Sequence, residues 1–210
     1  MRRVLLIVTF ALFIVSVWIG LIKGQVDPIV RNIIYFHVPN SICALLCFCV
    51  VLVGSIGFLV RKTQAWDLWA AAAAEVGLVF ATVLNLTGMV FSRAEWDTWW
   101  TPSPRLITSA ILWFLYVGYL ILRSSINSQR RRGRICAVFG IIAFLDVPLV
   151  YISARFTPDI HRATFSFDTA WQNAAMGLGI LATLLLGALL IWLRFDLLKS
   201  QVALEELARP

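Results

Sequence analysis

Six apolar runs, each long enough to cross roughly 30 Å of hydrocarbon as a helix, leave this chain few folds to choose from. They extend over about Val4 to Ile22, His37 to Val60, Trp66 to Phe91, Leu106 to Leu122, Ile135 to Ile152 and Thr169 to Leu193. Apolar residues make up 60% of the 210-residue chain and charged ones only 14%. A soluble domain carries nearly twice that share of charge, so the composition points the same way as the runs. The expectation is an all-α polytopic membrane protein: one domain over residues 1–210, six transmembrane helices, short loops and no internal repeat. The first run follows Arg2 and Arg3, as a signal peptide would. Its apolar stretch is too long for one and no small-residue cleavage site follows, so a retained first span is expected.

Basic residues orient such a bundle. Twelve of the 18 Lys and Arg fall on one side: Arg2, Arg3, Arg61, Lys62, Arg123, Arg130, Arg131, Arg132, Arg134, Arg194, Lys199 and Arg209. Lys23, Arg31, Arg93, Arg105, Arg155 and Arg162 fall on the other. The excess puts both termini in the cytoplasm and turns the two longer loops, Phe91–Arg105 and Ser153–Asp168, outward. The formal charge of +7 is thus read as orientation. No stretch interleaves basic and aromatic residues as a nucleic-acid surface does. Cys43, Cys47, Cys49 and Cys136 lie in or beside apolar runs without CxxC or Cys/His metal spacing, and read as packing residues. The chain also lacks a Walker phosphate loop, HExxH and GxSxG, so energy from ATP would have to come from another subunit.

Both histidines, His37 and His161, fall on the outward side of this topology. Neutral imidazole ligates haem iron well, and two on one face could hold it from both sides; two unrelated interfacial histidines are the plain alternative. The outward loop Ala94-Glu95-Trp96-Asp97-Thr98-Trp99-Trp100-Thr101-Pro102-Ser103-Pro104-Arg105 packs three tryptophans into five residues and ends on an arginine. That combination suits a flat aromatic ligand carrying carboxylates, and equally suits an aromatic belt at the membrane interface. Glu75 and Asp146 each lie about 13 Å into a span by helical rise. With no Lys or Arg placed inside a span, both are expected to be protonated carboxyls hydrogen-bonding between helices, with a transport pathway as the alternative. Asn85 and Thr87 read as further polar contacts of that sort.

On these residues the chain resembles the haem exporter protein C (CcmC) family of cytochrome c maturation proteins, within a wider haem-handling group with a tryptophan-rich outer loop. Tyr35-Phe36-His37-Val38-Pro39 matches the family's first-histidine motif, and Val147-Pro148 and Ser153 lead into His161 at the second-histidine spacing. Trp96, Thr98, Trp99, Trp100, Arg105, Leu106 and Ser109 match the tryptophan-rich loop. The likeness runs from Ile33 to about Leu193. It departs at Pro102-Ser103-Pro104, where the family has Trp-Asp before Ala-Arg-Leu, and at Asp97, where the family has glycine. The two prolines are expected to stiffen that segment away from helix.

What the resemblance implies is a multi-pass protein of the bacterial cytoplasmic (inner) membrane that binds haem b as a transported ligand on the outer face. His37 and His161 would be the axial ligands of the iron, Trp96, Trp99 and Trp100 would lie against the macrocycle, and Arg105 would meet a propionate. Haem would pass to a periplasmic haem chaperone, with no covalent catalysis by this chain. An ABC-type ATP-binding subunit and a second membrane subunit would be partners, ATP hydrolysis releasing the loaded chaperone. Two other readings stand beside this one: a haem lyase-like subunit for cytochrome c synthesis, and a membrane scaffold that binds no ligand.

Overall fold

The structure is a computed structural model that describes residues 2–26, 32–156 and 167–208. Seven helices account for nearly all of them: α1 (Arg2–Ile22), α2 (Ile34–Arg61), α3 (Gln64–Trp96), α4 (Pro104–Ser124), α5 (Gln129–Phe144), α6 (Asp146–Phe156) and α7 (Ala170–Leu207). No strand occurs among the described residues. Six helical segments are long and apolar enough to cross a membrane, the fifth running through α5 into α6 as Gln129–Ser153. The all-α, six-span expectation is met. The helices outrun the apolar runs, because backbone hydrogen bonding continues into flanking polar residues once a helix has nucleated.

Apolar side chains supply little attraction between helices when lipid is the alternative, so close backbone approach has to do that work. The tightest pairing, α2 against α3, shows how. Ala70 to Ala74 are all buried, and a Cβ built at Gly77 would sit 2.8 Å from the Phe48 ring and 2.9 Å from Cys47 Cβ. Lys62 turns the chain between these helices in the left-handed conformation (φ 56°), its N–H bonded to Phe58 O at 2.8 Å. On the other side of the bundle α1 packs along α7, where the Ser16 hydroxyl donates to Ala175 O at 2.8 Å. Cys43, Cys47 and Cys136 are buried packing residues, and all four cysteines are free thiols.

The fifth span is broken at Leu145, and proline chemistry explains where. Pro148 has no N–H to give to Phe144 O, and its ring crowds that carbonyl, so α5 ends at Phe144 and α6 restarts at Asp146. Asp146 therefore opens a new helix instead of lying mid-helix. It is buried, and its Oδ2 has no hydrogen-bond partner among the described residues. The expected inter-helix hydrogen bond is not made by that oxygen.

Glu75 needs a larger correction. Its carboxylate is held bidentately by Arg194, Nε to Oε2 at 2.5 Å and Nη2 to Oε1 at 3.1 Å. Counting residues put Arg194 beyond the last span, but α7 runs unbroken past it to Leu207 and brings it level with Glu75 on α3. The counter-charge was in the chain all along, on a helix 119 residues away. A second bidentate pair, Arg123 to Asp67 at 2.7 and 2.8 Å, ties the end of α4 to the start of α3. Arg2 pairs with Asp196 and lies 4.6 Å over the Trp192 ring, so the start of α1 and the later part of α7 share an end of the bundle.

Candidate functional site

The opposite end carries the residues singled out in the sequence. α2 starts three residues before His37, and the Tyr35 hydroxyl anchors that start by donating to Gly24 O at 2.6 Å. The Tyr35 ring also stacks on Phe167, centroids 5.9 Å apart. α7 begins beside them: Thr169 and Gln172 form a reciprocal capping box, and Gln172 Nε2 donates to Gln25 O at 3.2 Å. His37 is half-buried and leans on α3. Its Nδ1 is 3.0 Å from Thr87 Oγ1, and the same hydroxyl lies 2.7 Å from Val83 O and 3.0 Å from Leu84 O. Next to it, a Cβ at Gly88 would be 3.2 Å from His37 Cε1. Thr87 is thus the inter-helix polar contact its place in span three suggested. Gly88 carried no sequence signal, since its partner lies some fifty positions away on another helix.

From Thr87 the remaining turns of α3 lead about 13 Å further along the helix to Trp96. Trp96 packs edge-on against Phe91, centroids 5.4 Å apart, whereas Trp99 and Trp100 are 56% and 44% exposed. The loop therefore offers two exposed indoles and one that is partly occupied within its own helix. Asp97 caps α3 in the left-handed conformation, φ 56° and ψ 22°. That is where glycine is least strained, which gives a physical reason for the glycine expected there from the family pattern. Arg93 compensates by clasping Asp97, reaching its carbonyl at 2.5 Å and its carboxylate at 2.7 Å.

In the Pro102-Ser103-Pro104 departure, Pro102 and Ser103 stay out of helix as expected, Ser103 in extended backbone (φ −76°, ψ 148°). Pro104 does not hold the chain out of helix; it is the first residue of α4, where a missing N–H costs nothing. Ser103 is the N-cap and accepts from Leu106 N at 3.4 Å. Arg105 follows at the second helical position, half-buried, so a guanidinium and a helix N-terminus come together at the loop's exit. His161 lies outside the described residues, as does Arg162. The structure thus brings His37, Trp96, Trp99, Trp100 and Arg105 to one end of the bundle on α2, α3, α4 and the loop between the last two.

These residues have the chemistry that a haem would ask for: an imidazole held in place by a neighbouring helix, exposed indole faces, and a cation beside a helix N-terminus. Comparison with known proteins agrees with that chemistry. The family model described as "Heme exporter protein C" matches residues 1–209. A protein of that name from Escherichia coli (strain K12) is 29% identical over 183 residues, covering 85% of this chain and 73% of the relative. One from Rhodobacter capsulatus is 28% identical over 191 residues, covering 85% and 78%. One from Paracoccus denitrificans reaches 31% over 137 residues, covering 60% and 57%. The match extends to the first span and the last helix, beyond the segment that carries the histidine and tryptophan motifs. With the matching family model running almost end to end, the chain belongs to the heme exporter protein C family.

Proposed function

We propose that this protein holds haem at the outer face of a bacterial cytoplasmic membrane and hands it to a periplasmic haem chaperone during cytochrome c maturation. The observation that carries the proposal is the placing of His37 against Thr87 at the same end of the bundle as the exposed Trp99 and Trp100. A structural histidine needs no such neighbours, and belt tryptophans need no histidine. His37 would take one axial position on the iron and His161 the other. Trp99 and Trp100 would cover the macrocycle, with Trp96 at its margin, and Arg105 with the α4 N-terminus would receive a propionate.

The chain's own part is binding, orientation and release, without a covalent step. The names borne by its relatives support the haem part of this reading, and the family supports work within an export complex. An ABC-type ATP-binding subunit and a second membrane subunit would be the partners. The basic end, where Lys62, Arg130 and Arg134 line one cleft with Gln64 and Gln129, would face the cytoplasm and the ATP-binding subunit.

The test is an absorption spectrum of the purified protein, alone and with its chaperone, beside His37→Ala and His161→Ala. A Soret band that shifts or weakens in each variant is the expected result. A spectrum free of haem in the intact protein, chaperone present, would sink the proposal and favour the ligand-free scaffold. Thioether formation on an apocytochrome by the purified chain would favour the lyase reading instead.

A further inference from the structure

We propose that Thr87 sets the tautomer of His37 and, with Gly88, fixes its ring, so that Nε2 is the nitrogen offered to an iron. One proton decides the tautomer. The Thr87 hydroxyl oxygen lies 2.7 Å from Val83 O and 3.0 Å from Leu84 O, and a carbonyl can only accept. The hydroxyl proton is therefore committed to its own helix backbone; otherwise oxygen lone pairs would face each other at hydrogen-bond distance. What Thr87 has left is a lone pair, and His37 Nδ1 stands 3.0 Å from it. That contact is favourable only if Nδ1 carries the hydrogen, which leaves the lone pair of neutral imidazole on Nε2.

Metal-binding histidines are ordinarily held by a hydrogen bond from the other ring nitrogen, most often to a carboxylate or carbonyl. Here a threonine hydroxyl plays that part, relaying through to the α3 carbonyls. Gly88 completes the arrangement. The His37 Cε1 edge lies where a side chain at position 88 would begin, 3.2 Å from a Cβ placed there. A side chain there would make the ring give way, by a few tenths of an ångström for alanine and by more for a larger residue, and so loosen its hold on the Thr87 oxygen. The two residues act through His37 and are positioning residues. The part of the proposal that concerns iron rests on the haem reading above; the tautomer does not.

The experiment separates the two. The chain has 2 histidines, so His161→Gln leaves His37 as the single imidazole. In the haem-free protein labelled with 15N-histidine, at a pH above about 8 where imidazole is neutral, the nitrogen shifts report the tautomer directly. The expected result is Nδ1–H with Thr87 present, and a change to the Nε2–H form that free histidine prefers in Thr87→Val. Thr87→Ser, which keeps the hydroxyl, restores Nδ1–H. With both histidines present, Thr87→Val weakens haem binding about 10- to 100-fold, as removal of such a partner does at other metal sites. Gly88→Ala weakens it in the same direction. Finding Nε2–H with Thr87 present, or Nδ1–H retained in Thr87→Val, would overturn the proposal without touching the haem reading. Nδ1–H in a protein that takes up no haem would uphold the tautomer and overturn the haem reading.

Discussion

Two bidentate ion pairs in this bundle look alike on paper and differ in their surroundings. Arg123 and Asp67 are 11% and 4% exposed, whereas Arg194 and Glu75 each leave about a third of the side chain uncovered, 32% and 30%. Removing one member of a closed pair strands the other charge among apolar neighbours, which costs about 3–5 kcal/mol. Asp67→Asn should therefore lower the unfolding free energy by about that much, read from the midpoint of denaturant-induced unfolding in detergent. The double variant Asp67→Asn/Arg123→Met should regain most of the loss, since neither charge is then left unpaired. A double variant no better than the single one would mean that the pair itself carries the stability. Asp97 makes a different point at this scale: it takes the left-handed conformation, which aspartate tolerates better than most residues other than glycine, with Arg93 of the preceding turn bonded to its carbonyl.

Between elements, glycine has opposite meanings depending on what it faces. At Gly77 the Phe48 ring and Cys47 of α2 occupy the room a side chain would need, and Phe48 is itself backed by Tyr116 at 3.7 Å. At Gly177 on α7 nothing lies within 4 Å of an added Cβ. Gly77→Ala should destabilise the protein by about 1–3 kcal/mol through overpacking. Gly177→Ala should be neutral or stabilising by up to about 1 kcal/mol, since alanine is the better helix former. Parallel thermal unfolding of the two variants checks the contrast, and equal effects would contradict the α2–α3 packing. The broken fifth span belongs to this scale as well. Val147-Pro148 is legible in the sequence, but only the helix ladder shows that the cost falls four residues upstream, at Phe144, and leaves Asp146 at a helix start.

For the whole molecule, the inter-helix ion pairs Arg2–Asp196, Arg123–Asp67 and Arg194–Glu75 gather at one end, and His37 with Trp96, Trp99 and Trp100 at the other. The excess of Lys and Arg predicts that the ion-paired end is cytoplasmic. A cysteine at Asn127, between α4 and α5, should resist a membrane-impermeant maleimide in intact cells and react after permeabilisation. A cysteine at Thr98, in the tryptophan loop, should react from outside. The reverse pattern would put His37 on the cytoplasmic side and remove the basis for delivery to a periplasmic chaperone. The native cysteines lie within helices, three of them buried, which favours a low background.

The chain by itself determined the class of fold, because six apolar runs must be helices wherever water is absent to satisfy the backbone. It also marked His37, the tryptophan loop and Arg105, since those side chains are costly or unusual where they stand and their spacing along the chain is local. Lateral neighbours were another matter. Which face of α7 meets α3, and so which arginine answers Glu75, depends on helix rotation and length, and neither is written in a hydropathy run. The same holds for Thr87 and Gly88: their meaning comes from an imidazole on another helix, brought within 3.0 Å only when α2 and α3 pack side by side. Pro102 and Ser103 stay out of helix as expected while Pro104 begins one, because a proline's consequence depends on whether the helix lies before or after it. Sequence records what each residue costs; the packed bundle decides what offsets that cost.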